Sequence, residues 1–209
     1  MNVKINKVRD LVFPYKKINY FMIGIIILGI ISGAIFFTII NNSDKDLVFK
    51  QISSFINSIN TGTIDNGLAL KNSIFSNGIL VIIIWILGMS VIGMFINIFL
   101  VYVKSFILGF SISSIIGLYG FKGILLSFIY TFLGQVFDLI AIFIIGIYSV
   151  IFSIYIIKLI VQKKGNNNRT MIKRYIIMFI ISLVLIVFAG ILESYFLPAF
   201  MKLIIRLYV

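Results

Sequence analysis

The chain has 209 residues, of which 61% are apolar and 11% charged, against about 45–50% and about 25% in an ordinary soluble domain. It contains no Cys and no His, which removes disulfides, thiolate nucleophiles, Cys/His zinc sites and imidazole acid–base catalysis. A net charge of +12 would suit nucleic acid in a polar protein. Here the basic residues instead flank long uncharged stretches such as 18–43 and 72–103, each longer than the about 20 residues that cross a bilayer. The expectation is an all-α, polytopic membrane bundle forming a single domain over 1–209, with no nucleic-acid partner and no cofactor.

Lys4, Lys7, Arg9, Lys16 and Lys17 face the single acid Asp10 in residues 1–20, and residues 21–40 follow without a charge. This reads as a basic cytoplasmic segment and a first span. A cleaved signal peptide is the rival, with Ser32-Gly33-Ala34 as its small residues, but the apolar run continues through Ile40, as an uncleaved anchor requires. Residues 41–77 balance Asp44, Asp46 and Asp65 against Lys45, Lys50 and Lys71, the neutral composition of an extracytoplasmic loop. Inside it, Val48, Phe49, Ile52, Phe55, Ile56 and Ile59 recur at helical spacing behind Ser43 and Asp46. That predicts an amphipathic helix over 46–60, ended by Thr61-Gly62-Thr63, with a weaker helical piece over 64–76 closed by Asn77-Gly78.

The apolar stretch from Ile79 to Val103 predicts a span with Trp85 and Tyr102 as interfacial anchors and Lys104 at the cytoplasmic boundary. Residues 105–119 make a short crossing of about 22 Å, and Gly117, Gly120 and Gly123 mark a break around Lys122. The run from Ile124 to Ile157 is interrupted at Gly134-Gln135 and Asp138. It is read as a half-inserted helix over 122–133 and a full span over 135–157. Residues 158–174 carry Lys158, Lys163, Lys164, Arg169, Lys173 and Arg174 and form a basic cytoplasmic loop. A last span over 175–197 stops at Pro198 and leaves an outer tail over 198–209, with Lys202 and Arg206 one turn apart. Five crossings, N-terminus inside and C-terminus outside, put twelve basic residues inside and six outside, as the positive-inside rule requires.

An ionisable group at the centre of a span costs about 2.5–3.5 kcal/mol on insertion scales, so it needs a partner or an aqueous path. Asp138 and Glu193 are the two acids in apolar surroundings. Two readings stand side by side: Lys122 pairs with Asp138 or Glu193 and locks the half-helix against the last span, or each group reaches the head-group region by snorkelling. Two carboxylates could also cleave a glycoside, but no glycan groove is readable, and the chain is expected not to be an enzyme. Asn97 and Gln135 are the other intramembrane polar candidates. Gly29 and Gly33 form a small-x-x-x-small pair that lets helices approach closely, within one chain or between copies in a homo-oligomer, the former being the simpler expectation. The outer helix must cover Val48, Phe49, Ile52, Phe55 and Ile56 by lying on lipid or capping the bundle, or else offer them to a partner's outer domain. The 158–174 loop is suited to anionic membrane lipid.

Three segments together resemble the stage II sporulation protein M family: WILGMSVIGMFINIFLVYVKSFILGFSISSIIGLYGFKGILLSF at 85–128, LGQVFDLIAIFIIG at 133–146 and GILESYFLPAFMK at 190–202. Glu193, Tyr195 and Pro198 match the family's Glu-x-Tyr-x-x-Pro pattern near the end of its last span. Asp138 falls where wider relatives carry Glu in a Pro-His-Gly-x-x-Glu-like stretch, reading Leu133-Gly134-Gln135-Val136-Phe137-Asp138 here, so the Pro and His are absent and their roles do not transfer. The resemblance implies a non-enzymatic scaffold in the mother-cell membrane at the sporulation septum. Its implied partners are stage II sporulation proteins D and P, which degrade septal peptidoglycan during engulfment. The competing class is a small transporter or channel subunit that uses the intramembrane acids as an ion or proton pathway.

Overall fold

A computed structural model describes residues 16–162 and 168–208, and every regular element in them is helical. In chain order these are α1 (Lys16–Ile39), α2 (Asn42–Thr61), α3 (Asn66–Leu87), α4 (Gly93–Tyr119) and α5 (Phe121–Ile129). A π-helical segment (Tyr130–Gln135) then leads into α6 (Val136–Gln162). Finally α7 (Asn168–Ile191) passes through a second π-helical segment (Leu192–Phe196) into α8 (Leu197–Tyr208). Lys4, Lys7, Arg9, Asp10, Lys163 and Lys164, and the side chain of Arg206, lie outside the described residues.

Five segments are long and apolar enough to cross a membrane: Lys16–Ile39, Asn66–Leu87, Gly93–Tyr119, Phe121–Val161 and Arg169–Ile204. The number of crossings is the expected one, but two boundaries move. The chain does not run straight from Ile79 to Val103; it turns at 88–92, between α3 and α4. The piece over 64–76 is therefore the first part of a full span, and Asn77-Gly78 lies inside α3 rather than ending it. Lys104 sits within α4, not at a boundary. The second correction concerns 122–133, which is no separate half-helix. It continues through the π segment into α6 as one rod of 41 residues, about 61 Å long at 1.5 Å per residue. A π-helical turn absorbs the irregularity at Gly134-Gln135 without breaking the backbone hydrogen bonding.

The turn at 88–92 is compact because the bundle satisfies it from inside. Ser153 donates to the carbonyls of Gly88 (2.9 Å) and Ser90 (3.0 Å), and Tyr175 donates to that of Trp85 (2.6 Å). Gly93 is required there: a Cβ would meet the Leu87 backbone, its Cα at 2.9 Å. Trp85 is no outer anchor; it stacks on Phe179 at 4.6 Å inside the helix packing. Tyr102 lies mid-helix, its hydroxyl 2.8 Å from that of Ser32. At the other end of α3, Asp65 caps the helix by accepting from the backbone N–H of Gly67 (2.9 Å) and Leu68 (3.1 Å). Asp65→Ala should lower stability by about 1 kcal/mol, readable as an earlier thermal transition in detergent.

Packing has two tiers. In the first, α6 runs through the middle, touching α1, α3, α4 and α7, and its Ala141, Ile142 and Ile145 are fully buried with Met22, Val81, Ile84 and Val101. One end of this tier gathers Lys16, Lys17, Lys158, Arg169, Lys173 and Arg174 and is called here the basic end. The other, capped end carries a second core of Ile56, Ile59, Ile115, Leu126, Leu197 and Met201, drawn from α2, the last turns of α4, α5 and α8. The helix α2 starts at Asn42, four residues before its expected start, with Asn41 as N-cap and no side-chain capping bond from it. It ends as its sequence predicts, at Gly62, whose φ of 70° is the left-handed conformation that glycine adopts without strain. Of the three glycines read as a break after α4, Gly120 makes the turn with φ of 57°. Gly123 instead allows α5 to press on Ile115 and Ile116, and Gly117 faces the Phe37 ring.

Pro198 does not end the last span. Its missing N–H frees the carbonyl four residues earlier, at Ser194, which lies in the wide π-helical turn, and the helix carries on as α8. The expected outer tail is thus an amphipathic helix that builds the second core.

Candidate functional site: a polar cluster inside the bundle

The helical period puts Ser73 and Asn77 on one face of α3, four residues apart, and the chain brings Gln135 and Asp138, three apart, to face them. Asp138 is fully buried. Its Oδ2 accepts from Asn77 Nδ2 at 2.6 Å, and Lys104 Nζ donates to Asn77 Oδ1 at 2.8 Å while standing 3.8 Å from Asp138 Oδ2. One turn toward the capped end, Glu193 accepts from Ser73 Oγ (2.5 Å) and from Gln135 Nε2 (3.4 Å). Both acids are therefore tied to α3, and the two π-helical segments that carry Gln135 and Glu193 pack on each other. Asp138 Oδ1 has no protein partner.

The cation opposite Asp138 is Lys104, where the sequence pointed to Lys122. Lys122 is exposed at the start of α5, sixteen residues before Asp138 on a continuous helix, about 24 Å away along its axis. Glu193 lies beside Gln135, thirteen residues from Lys122 and about 20 Å further along the same rod. Neither acid is within a lysine's reach of Lys122, so the lock joins α3, α4 and α6 and does not pin a half-helix to the last span. Sequence reasoning missed Lys104, Asn77 and Ser73. The available signal was Lys104 itself, a lone charge with uncharged, mainly apolar runs of more than ten residues on both sides, which makes sense only if it is held by an acid.

Asn97 belongs to a different cluster nearer the basic end. It is buried, its Nδ2 donates to the Ile84 carbonyl at 3.1 Å and contacts Ser149 Oγ, and Ser149 Oγ itself donates to Ile84 at 3.2 Å. Between the Asp138 and Asn97 clusters lie Val81, Val101, Ala141, Ile142 and Ile145, all fully buried. Among the described residues no three His, Cys, Asp or Glu side chains come together to hold a metal ion.

Gly29 and Gly33 face α4. A Cβ on Gly29 would lie 2.7 Å from Ser105 Cβ, and one on Gly33 would collide with the Phe106 carbonyl group and lie 2.9 Å from the Phe110 backbone nitrogen. The opposite face of α1, with Ile27, Leu28, Ile31 and Ile35, is exposed. On α2, Ile56 is buried, Val48, Phe49 and Ile52 are half-buried against the bundle, and Phe55 is exposed along with Leu47. The helix roofs a cavity of about 220 Å³ whose polar lining includes Gln51, Ser111 and Tyr130.

These features define a polytopic bundle with one acid–lysine–amide lock and a helical cap. The profile of the family described as Stage II sporulation protein M matches residues 22–198. The chain belongs to that family. The match runs from α1 through Pro198 and takes in both tiers, including Lys104, Asp138 and Glu193. No curated protein and no solved structure matches the chain. It is a sporulation-related membrane protein with several membrane-spanning helices.

Proposed function

We propose that the chain is a non-enzymatic scaffold of the engulfment machinery, holding the peptidoglycan-degrading stage II sporulation proteins D and P at the septum, in the mother-cell membrane. The basic end faces the cytoplasm in this reading, and the capped end faces the wall. The observation that carries it is the length of the rod from α5 into α6. Crossing about 30 Å at an average tilt of about 20° uses about 21 residues; counted from Lys158, hydrocarbon ends near Phe137. That leaves α5 beyond it, with Phe121, Ile124 and Phe128 on one face at 88%, 51% and 63% exposure. An apolar helix face held above the bilayer by its own second core is suited to grip a partner's outer domain.

A tagged chain from sporulating cells should co-purify both hydrolases. Phe121→Asp with Phe128→Asp should abolish that co-purification and leave septal wall undegraded while hydrolase and scaffold levels stay normal. Unchanged co-purification in that variant, or none with the wild type, contradicts the reading.

One observation favours the transporter class: the paired Lys104 and Asp138 with Glu193 close by. Against it stands the fully buried apolar layer of Val81, Val101, Ala141, Ile142 and Ile145, which separates the acids from the Asn97 cluster and the basic end among the described residues. Ion or proton flux in liposomes that disappears with Asp138→Asn would favour transport over scaffolding.

A further inference from the structure

A cleft of about 420 Å³ opens at the basic end between the start of α1 and the end of α6, lined by Lys16, Lys17, Lys158, Tyr155 and an apolar wall. The wall is Ile18, Ile151, Ile154 and Met171, and it leads from the three ammonium groups toward the interior of the bundle, where Ile151 is buried. The chain has six acids, Asp10, Asp44, Asp46, Asp65, Asp138 and Glu193. None of the five described acids lines this cleft: Asp44 and Asp46 lie on α2, Asp65 at the start of α3, and Asp138 and Glu193 in the polar cluster. Three lysines therefore border a space that no acid among the described residues lines, beside a slot that water solvates poorly.

We infer that this cleft is a binding site for an anionic phospholipid, its phosphate held by Lys16, Lys17 and Lys158 and one acyl chain lying along Ile18, Ile154 and Met171. The two chemistries of the lining match the two halves of an amphiphile, and basic pockets between helices at a membrane boundary recognise anionic head groups. A soluble anion would use the lysines and gain nothing from the wall. The site differs from the general attraction of a basic loop for lipid, because two of its three lysines come from α1 and its apolar wall gives it a shape. By clamping α1 to α6 through a lipid, it would fasten the helix that otherwise rests almost wholly on α4.

The test uses the full chain in detergent, titrated with phosphatidylglycerol or phosphatidylcholine and read by native mass spectrometry as lipid retained per chain. Phosphatidylglycerol should be retained in preference. K16Q/K17Q/K158Q should weaken its retention by about tenfold or more, and R169Q/K173Q/R174Q, which removes the same charge from the same end outside the cleft, by less than about twofold. I154W, which fills the wall and keeps all three lysines, should also weaken it. Excess inorganic phosphate should not displace the lipid. Equal retention of the two lipids, equal losses in the two triple variants, or displacement by phosphate overturns the site. The triple variants decide the matter alone if I154W does not fold, because all six substituted positions are at the surface or half-buried.

Discussion

Replacing Lys104 by Met should cost the bundle about 3–5 kcal/mol, because it leaves the Asp138 carboxylate buried without its cation. Asp138 is fully enclosed and the Lys104 side chain is 15% exposed, so water replaces little of what is lost. Asn77 would keep its bond to Asp138 Oδ2 but carries no charge. The sharper expectation concerns the pair: K104M/D138L should regain most of the stability lost in K104M, since a buried ion pair exchanged for apolar side chains of similar size is often neutral or better. Unfolding of both variants in mixed micelles measures this. A double variant as unstable as the single one would mean that the cluster is held by something other than the pair.

The second large effect falls on the α1–α4 contact. Gly33→Ala should destabilise by about 1–3 kcal/mol, as overpacking does, since the added methyl meets the backbone of Phe106 and Phe110, which cannot swing aside as a side chain could. Gly33→Leu should free α1 from α4 outright. Gly109 makes the reciprocal contact, its missing Cβ leaving room for the backbone of Ile30, so Gly109→Leu should act alike. Gly24, on the same helix with nothing within 4 Å of a Cβ, is the control: Gly24→Ala should be neutral or stabilise by about 0.5–1 kcal/mol through helix propensity. Intrahelical and interhelical roles of glycine are thus separable by thermal unfolding of these four variants.

The sequence made the outline legible because lipid demands long apolar helices, and the number of crossings follows from them, although the second and third were divided at Lys104 instead of at 88–92. The end of α2 at Gly62 was legible too, since a left-handed residue there favours glycine. The turn at 88–92 was not. A polar loop would have announced it, but its carbonyls are satisfied by Ser153 and its neighbour Trp85 by Tyr175, from more than sixty residues away, so local composition stays apolar straight through it. Placing the boundary at Lys104 followed from that. The pairing with Lys122 then followed from reading 122–133 as a dipping half-helix, a reading prompted by Gly134, Gln135 and Asp138. Those residues belong to a π-helical turn and the buried face beside it, where Asp138 is held by Asn77 on α3, which no local pattern reveals, and by Lys104 on α4, whose isolation among uncharged residues was the one signal. The inward set of α2, with Ile56 and Ile59 buried and Phe55 outside, was visible as periodicity, but which face met the bundle depended on Ile115 and Met201 being beneath it.

The account depends on the chain turning back at 88–92 on the cytoplasmic side while α2 and α5 stand outside. The chain contains no Cys, so a single introduced thiol reports its own side of the membrane. In intact cells, an impermeant maleimide should label Asn60→Cys on α2 and should leave Ser90→Cys unlabelled until the membrane is opened. Labelling of Ser90→Cys from outside, with Asn60→Cys protected, would contradict it.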